Sequence, residues 1–189
     1  MRIVGGIFRG HRLAGPPGEA TRPTSDRVRE SVFNILAHGI EGFSLAGARV
    51  MDVFAGTGAL GLEAISRGAR FCLFVDESAA ARGVIRKNSD SLGLIGLVKI
   101  WRRDATRLGP CAPQPGFDLV FADPPYGRGL GQQVLVSLIE GKWLNPGAVV
   151  IVEEAVKAEI PEVPGLVLLD RRDYGDTQVR FYRRHRVEP

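Results

Sequence analysis

The segment Asp123-Pro-Pro-Tyr126-Gly127 has the residue types that can hold and activate an amino group. Its two consecutive prolines stiffen the backbone and remove two N–H donors. The groups left to face a ligand are the Asp123 carboxylate and a proline carbonyl, which are two hydrogen-bond acceptors held close together. Such a pair can bind both hydrogens of an –NH2 group and turn its nitrogen lone pair toward an electrophile. For the tetrapeptide Asp123-Pro-Pro-Tyr126 taken alone, the alternative is an ordinary Pro-Pro turn with Tyr126 in the core.

Tyr126 adds an aromatic face beside these acceptors. Aromatic side chains stack on nucleic-acid bases, and each stacked base contributes about 1–3 kcal/mol in single-strand binding sites. A base amine inside a duplex cannot reach such a pocket, so we expect the base to be flipped out of the helix before it reacts. The segment therefore predicts a site for the amine of a base, formed by Asp123, Pro124, Pro125 and Tyr126.

A second motif is a glycine loop in which Gly56, Gly58 and Gly61 have the spacing G-x-G-x-x-G. Glycines at these positions permit a tight turn and let a ligand approach the backbone. The pattern alone is compatible with NAD, FAD, S-adenosylmethionine or a structural turn. Asp52 precedes the loop, and a carboxylate there would repel a pyrophosphate but attract the sulfonium and ammonium groups of S-adenosylmethionine. Asp52 therefore favours S-adenosylmethionine.

Two further acids follow later predicted strands. Asp76 ends the strand after the glycine loop, where a carboxylate can accept hydrogen bonds from both hydroxyls of a ribose. Asp104 follows the third strand and can accept from the amino group of an adenine. The alternative role of Asp104 is to cap a short helix.

These residues depend on an alternation of strands and helices that begins near residue 48. The predicted strands cover residues 49–54, 71–76, 98–101, 117–123 and 148–153, and the predicted helices cover residues 59–67, 78–91 and 131–140. Right-handed crossovers between such strands produce a parallel sheet covered on both faces. The glycine loop and Asp123 then lie at the carboxyl edge of the sheet, where open α/β sheets bind ligands.

The two ends of the chain do not follow this alternation of strands and helices. Residues 166–173 and 178–183 flank a tight turn that contains Gly175, which predicts an antiparallel hairpin. Near the other end, a Gly- and Pro-rich segment has the pattern of a small hairpin or extended arm. After it, Thr24 is predicted to cap a helix that is closed by Gly39 and Gly42.

Composition excludes several classes of protein. A length of 189 residues suggests one domain, and 44% hydrophobic with 24% charged residues is ordinary for a globular protein. The chain has no run of about 18 apolar residues and no signal core near its start, so we expect no transmembrane helix and a cytosolic protein. Two cysteines and three scattered histidines predict neither a disulfide scaffold nor a metal site.

The net charge of +4 lies entirely within the first 29 residues, which contain six arginines against Glu19 and Asp26. The planar guanidinium group suits bidentate phosphate contacts and stacking on bases. The segment therefore predicts an RNA-binding arm, with a solvated basic terminus as the alternative. Its predicted RNA-binding residues are Arg2, Arg9, Arg12, Arg22 and Arg27.

Together these motifs resemble the class I S-adenosylmethionine-dependent methyltransferases, and in particular the bacterial 16S ribosomal RNA guanine-N2 methyltransferase family of the RsmD type. The segments that carry the resemblance are Arg2-Ile-Val-Gly-Gly, Thr21-Arg-Pro-Thr-Ser-Asp-Arg-Val-Arg-Glu, Asp52-Val-Phe-Ala-Gly-Thr-Gly, Asp123-Pro-Pro-Tyr and Tyr174-Gly-Asp-Thr. The block beginning at Thr21 is the most specific, because methyltransferases in general lack it. Asp76 departs from the more usual Glu but keeps the carboxylate.

The resemblance implies an α/β fold with a Rossmann-like seven-stranded sheet of order 3-2-1-4-5-7-6, in which strand 7 is antiparallel. From the composition and pattern of the chain we expect a basic arm or hairpin over residues 1–23 and a methyltransferase domain with a leading helix over residues 24–189. The resemblance also implies that S-adenosylmethionine is used to methylate N2 of one guanine in 16S ribosomal RNA, on the small subunit or an assembly intermediate. We expect a monomer without a metal site. The implied cofactor contacts are Asp52, Phe54, Ala55, Gly56, Thr57, Gly58, Asp76, Asp104 and Ala105.

Three alternatives remain from the residues themselves. The same chemistry could act on adenine N6 or cytosine N4 of DNA or of another RNA, although so short a chain has no large target-recognition domain. An NAD-dependent oxidoreductase is disfavoured by Asp52 and by the Pro-Pro segment. A non-catalytic RNA-binding assembly factor is disfavoured by the intact Asp123-Pro-Pro-Tyr segment.

Overall fold

Seven strands form one sheet in the computed structural model, which describes residues 1–15 and 26–185. The strands are β1 (Arg49–Val53), β2 (Phe71–Val75), β3 (Val98–Trp101), β4 (Phe117–Ala122), β5 (Leu144–Ala155), β6 (Leu166–Tyr174) and β7 (Thr177–Arg184). Their order is 3-2-1-4-5-7-6, and β7 is antiparallel to β5 and β6 while the other neighbours pair in parallel. The predicted sheet order and the predicted terminal hairpin are both confirmed.

The helices are α1 (Asp26–His38), α2 (Ala59–Ser66), α3 (Ala79–Ser91) and α4 (Leu130–Glu140). Ser78 caps α3, since its hydroxyl accepts from the Ala81 N–H at 3.3 Å. The predicted cap of the first helix, Thr24, lies outside the described residues. In that described part of the chain, none of the helices has both the length and the apolar character needed to cross a membrane.

The sheet is covered on both faces by apolar clusters. Helices α1, α2 and α3 pack on one face around Phe33, Phe74 and Phe121, and α4 packs on the other face around Phe117 and Trp143. Successive strand residues point to opposite faces. Burial on both faces explains why β4 and the middle of β5 are runs of apolar residues rather than alternating patterns. β5 begins at Leu144, earlier than the predicted residue 148, because Leu144 pairs with Phe117 across a register shift.

The N-terminal residues form a small hairpin that is docked on α2. The Ile3 N–H donates to the carbonyl of His11 at 2.9 Å, and Ile3 and Leu13 are buried in the first apolar cluster. The carboxylate of Glu63, on α2, accepts from the N–H groups of Val4 and Gly5 at 2.9 and 2.7 Å. The predicted boundary between residues 23 and 24 lies outside the described residues and stays a prediction.

Arg29 belongs to the basic segment by sequence, but it is buried rather than exposed to a partner. Its side chain is 1% exposed, and its Nε lies 3.6 Å from the carboxylate of Glu63, which also pairs with Arg67 at 2.8 Å. Arg29 also donates to Asp26 at 2.8 Å and to the backbone carbonyl of Arg2. Removing one partner from such a buried cluster typically costs about 3–5 kcal/mol, so this arginine stabilises the docking of the hairpin.

Candidate active site

The acidic residues of the candidate site meet at the carboxyl edge of the sheet. In the parallel pairing, Val53 lies beside both Val75 and Ala122, and Ala122 lies beside Val152. The residues that follow these positions, Asp76, Asp123 and Glu153, therefore lie along one edge. Asp52 sits one residue before the end of β1 and is 2% exposed.

The glycine loop between β1 and α2 has a backbone that most residues avoid. Phe54, Gly56 and Gly58 have φ values of 55°, 56° and 76°. The Gly58 N–H donates to the carbonyl of Ala55 at 2.7 Å and closes the turn. A Cβ added at Gly56 would meet no atom closer than the carbonyl oxygen of Phe54 at 4.0 Å. A ligand can therefore approach the backbone at Gly56.

The third glycine of the motif serves packing. A Cβ added at Gly61 would lie 2.4 Å from Cε1 of Phe74 and 2.6 Å from Sγ of Cys72. Gly61 therefore allows α2 to lie directly on β2, as the third glycine of this motif does in dinucleotide-binding folds.

Asp52 occupies the N-terminal end of α2. Its Oδ2 accepts from the Gly61 N–H at 2.9 Å. Burial raises the pKa of Asp52 to about 8; the Gly61 hydrogen bond partly opposes this shift and the charge of Asp76 adds to it. A helix N-terminus normally offers its N–H groups to a phosphate, but here a carboxyl group takes one of them. The arrangement disfavours a pyrophosphate and is compatible with a cationic ligand.

Asp76 joins the end of β2 to the glycine loop. Its Oδ2 accepts from the Gly56 N–H at 2.9 Å, and its Oδ1 accepts from the Ser78 N–H at 2.8 Å. Each carboxylate oxygen has two acceptor positions, so both can still bind a hydroxyl. The side chain is half-buried and fixed in direction, which suits the predicted contact with a ribose.

Asp104 caps the short turn Ala105–Arg107. Its Oδ1 accepts from the hydroxyl of Thr106 at 2.7 Å and from the Thr106 N–H at 2.8 Å. These two hydrogen bonds, the hydroxyl first, lower the pKa of Asp104 below its ordinary value. The alternative role of Asp104, capping a short helix, is therefore observed. It uses one carboxylate oxygen, so contact with an adenine through the other stays a prediction, as does the contact of the buried Ala105.

The Asp123-Pro-Pro-Tyr segment follows β4 directly. Tyr126 is 38% exposed, so its ring lies at the surface rather than in the core. Its hydroxyl donates to Oε1 of Glu153 at 2.6 Å, and the Gly127 N–H donates to Oε1 of Glu154 at 3.3 Å. The segment is thus tied to the end of β5 by two neighbouring carboxylates.

The same carboxylates determine the electrostatics of Asp123. Burial raises the pKa of Asp123 well above its ordinary value, and the nearby charges of Glu153, Asp52 and Glu154 raise it further. Within residues 1–15 and 26–185, no group of three or more histidine, cysteine or acidic side chains is arranged to hold a metal ion. Because Asp123 is poorly solvated and has acidic neighbours, the site offers a hydrogen-bond acceptor in surroundings that favour positive charge.

The sequence motifs indicate no role in the site for Glu153 or Glu154. Glu153 was expected only as the last residue of a predicted strand, following the apolar run 148–152 as Asp123 follows the run 119–122. Parallel pairing of these two runs would have predicted that the two acids lie side by side.

Four of the five arginines predicted to bind RNA lie in the described part of the chain. Arg9, Arg12 and Arg27 are exposed, and Arg2 is exposed while its Nε lies 3.4 Å from a carboxylate oxygen of Asp26. Arg22 lies outside the described residues. The exposed guanidinium groups are available to phosphates, and their contact with RNA stays a prediction.

Comparison with known proteins finds relatives that match nearly the full length of the chain. The family model described as Conserved hypothetical protein 95 matches residues 1–183. Ribosomal RNA small subunit methyltransferase D of Escherichia coli (strain K12) is 36% identical over 185 residues, which cover 97% of this chain and 90% of that protein. The protein of the same name from Haemophilus influenzae is 33% identical over 184 residues, covering 96% and 93%. The solved structure of the Escherichia coli protein yhhF superposes with a TM-score of 0.83 at 35% identity and covers 98% of each chain.

Proposed function

Because the chain belongs to the family described as Conserved hypothetical protein 95, together with ribosomal RNA small subunit methyltransferase D, we propose that it methylates N2 of a guanine in 16S ribosomal RNA with S-adenosylmethionine as the methyl donor. The protein is a methyltransferase of this family with a Rossmann-like fold. The guanine, the position N2 and the residue roles below are parts of the proposal.

The residues at the carboxyl edge fit S-adenosylmethionine better than a dinucleotide. Asp52 takes the Gly61 N–H that a pyrophosphate would need, and its carboxyl group can face the ammonium of the methionine part instead. Asp76 is held in place to bind the ribose hydroxyls, and the open space at Gly56 leaves room for the ligand. Phe54, Ala55, Thr57 and Gly58 complete the loop around it, and Asp104 and Ala105 would border the adenine.

When bound, S-adenosylmethionine supplies an electrophilic methyl group on a positively charged sulfur. The chain has to bring an amine to that group and orient it. In our proposal, Asp123 and the carbonyl of Pro124 or Pro125 accept one hydrogen each from the guanine 2-amino group. The nitrogen lone pair, which in free guanine is delocalised into the ring, is then turned out of the ring plane. Positioning of this kind can contribute about 7–11 kcal/mol to a bimolecular reaction.

The acidic surroundings of Asp123 suit a reaction that creates positive charge on the amine. The Asp123 carboxylate stabilises that charge as it develops. Because its pKa is raised by burial and by Glu153, Asp123 can also accept the proton that the methylated amine loses. Tyr126 presents an exposed ring on which the flipped base stacks.

The exposed arginines of the N-terminal hairpin and of α1 supply phosphate contacts in this proposal. Their guanidinium groups do not read sequence, so they fix the position of the RNA while the pocket at Asp123 selects the amine. Such an enzyme works where ribosomal subunits are assembled, and we therefore propose that it acts in the cytoplasm as a monomer on the small subunit or a precursor of it.

The observation that carries the proposal is the fixed arrangement of Asp123 and Tyr126 beside the glycine loop, in a chain related over nearly its full length to an RNA methyltransferase. The test is transfer of labelled methyl from S-adenosylmethionine to three unmodified acceptors offered separately: free 16S RNA, small ribosomal subunits and duplex DNA. Label in the subunit or the free RNA supports the proposal. Label in DNA alone would replace the acceptor, and cofactor binding without transfer to any acceptor would favour the non-catalytic assembly factor.

A further inference from the structure

Asn88, on α3, is hydrogen-bonded to two segments that are far from it in the sequence. Its Nδ2 donates to the backbone carbonyl of Thr57 at 3.0 Å and to that of Ala14 at 3.1 Å. Its Oδ1 accepts from the Ala14 N–H at 2.8 Å. Thr57 lies in the glycine loop and Ala14 follows the N-terminal hairpin. One side-chain amide therefore connects the loop to the hairpin.

The burial of Asn88 makes this connection stiff. The side chain is 2% exposed, and both donor hydrogens and the acceptor oxygen of the amide are used. Displacement of either backbone segment would leave a buried polar group without its partner, which is unfavourable. The positions of Thr57 and Ala14 are therefore coupled through the amide.

The two segments also touch directly. The hydroxyl of Thr57 donates to Sδ of Met1 at 3.6 Å, and Met1 belongs to the same hairpin through the hydrogen bond from the Leu13 N–H to its carbonyl at 3.1 Å. The hairpin carries the exposed side chains of Arg9 and Arg12. A surface suited to phosphate thus lies on a segment that is bonded to the candidate cofactor loop.

We propose that Asn88 is a positioning residue that couples binding of the cofactor at the glycine loop to binding of RNA at the hairpin. The inference rests on the proposed function, because it takes S-adenosylmethionine and RNA as the two ligands. A ligand that orders Thr57 also restricts the motion of Ala14, so binding of the second ligand loses less conformational entropy. The coupling is reciprocal, and each ligand strengthens the other by the same factor.

The experiment measures the dissociation constant of S-adenosylhomocysteine, which cannot transfer a methyl group, with and without unmethylated 16S RNA. For the wild-type chain we expect RNA to tighten this binding by at least about fivefold, the lower end of typical coupling. In Asn88→Ala, and in Asn88→Asp, which keeps an acceptor but loses both donors, RNA should change the constant by less than about twofold, well below that range. Loss of fold would be recognised from the circular dichroism of each variant.

Ser89→Ala is the matched control. Ser89 neighbours Asn88 on α3 and is 3% exposed, and within the described residues its hydroxyl makes no hydrogen bond. This variant removes a buried polar group from the same turn without touching the connection, so it should retain the wild-type coupling. Equal loss of coupling in Ser89→Ala and Asn88→Ala would overturn the inference.

Hydrogen exchange tests the same coupling in the wild-type chain, so this measurement does not depend on the folding of a variant. S-adenosylhomocysteine alone should slow hydrogen exchange at the Ala14 amide as well as in the glycine loop, because exchange reports local opening. Protection of the loop without protection of Ala14 would contradict the coupling.

The outcomes separate this inference from the proposed function. A wild-type chain that binds neither S-adenosylhomocysteine nor RNA would overturn both. A chain that binds both ligands and keeps its coupling in Asn88→Ala would overturn the role of Asn88 alone.

Discussion

The hydroxyl of Tyr126 donates a 2.6 Å hydrogen bond to Oε1 of Glu153. This bond ties the ring of the Asp-Pro-Pro-Tyr segment to the end of β5, the strand beside the one that leads into Asp123. The charge of Glu153 also raises the pKa of Asp123, to which burial makes the larger contribution. One carboxylate thus influences both the aromatic surface and the acceptor of the site.

Two substitutions of Tyr126 should distinguish the contribution of its ring to methyl transfer from the contribution of its hydrogen bond. Tyr126→Phe keeps the stacking face and loses one hydrogen bond to a charged group, so we expect kcat/KM to fall by about tenfold. Tyr126→Ala also loses stacking, worth about 1–3 kcal/mol, and should lower kcat/KM by at least a further tenfold. Steady-state methyl transfer measures both. Equal effects of the two substitutions would show that no base stacks on the ring.

Glu153→Gln should change the pH dependence of the reaction. Glutamine keeps an acceptor for Tyr126 but removes a negative charge near Asp123, so the pKa of Asp123 should fall. Since the ionised carboxylate is the better acceptor, the acid limb of the profile of kcat/KM against pH should move to lower pH. An unmoved acid limb would mean that Asp123 does not determine it.

Asp52→Asn should alter the pH dependence of stability. The pKa of Asp52 is raised to about 8 in the folded chain, while an unfolded aspartate titrates near 4. Between these values the folded state holds a proton that the unfolded state has lost, so the free energy of unfolding decreases as pH rises. Asparagine does not titrate, so the free energy of unfolding of the variant, relative to that of the wild-type chain, should rise by a few kcal/mol from about pH 5 to pH 8. Urea unfolding at both pH values measures this change, and a constant difference would contradict the raised pKa of the buried Asp52 carboxyl.

Much of the fold and part of this site follow from local patterns. Asp52, Asp76 and Asp123 could be predicted because each lies at or next to the end of an apolar run, and strand ends have a common edge in a parallel sheet. Glu153 was overlooked, although the expected sheet order places its strand beside the one that leads into Asp123. The contacts of Asn88 could not be predicted, because they depend on which distant segments become neighbours. Arg29 shows the same limit: it counts toward the basic segment by composition, but its surroundings in three dimensions make it a buried ion-pair partner of Glu63.

Two glycine substitutions should have opposite effects on stability. Gly61→Ala places a methyl group 2.4 Å from the ring of Phe74, so we expect a loss of about 1–3 kcal/mol from overpacking. Gly83→Ala, in the middle of α3, meets no atom within 4 Å and should stabilise the chain by about 0.5–1 kcal/mol. Thermal or urea unfolding tests the pair. A tolerated Gly61→Ala would mean that α2 does not need close contact with β2.

The exposed arginines of the hairpin should determine the salt dependence of RNA binding. Each phosphate contact contributes roughly 0.7–0.9 to the slope of log K against log salt, so the double variant Arg9→Ala, Arg12→Ala should reduce the slope by roughly 1.5. The control is Arg171→Ala with Arg172→Ala on β6, where the side chains already pair with Asp173 and Asp170 at 3.0 and 2.9 Å. An equal reduction by both pairs would place the RNA elsewhere.

The identity of the methylated nucleoside is the sharpest test of methyl transfer to guanine N2 at Asp123. Unmethylated small subunits are incubated with labelled S-adenosylmethionine and either wild-type chain or Asp123→Ala, and the nucleosides are then separated and identified. We expect N2-methylguanosine with the wild-type chain. We expect no product with Asp123→Ala, although that variant still binds S-adenosylhomocysteine. A product methylated at another atom would contradict the proposed acceptor, and transfer by Asp123→Ala at the wild-type rate would contradict the proposed role of Asp123.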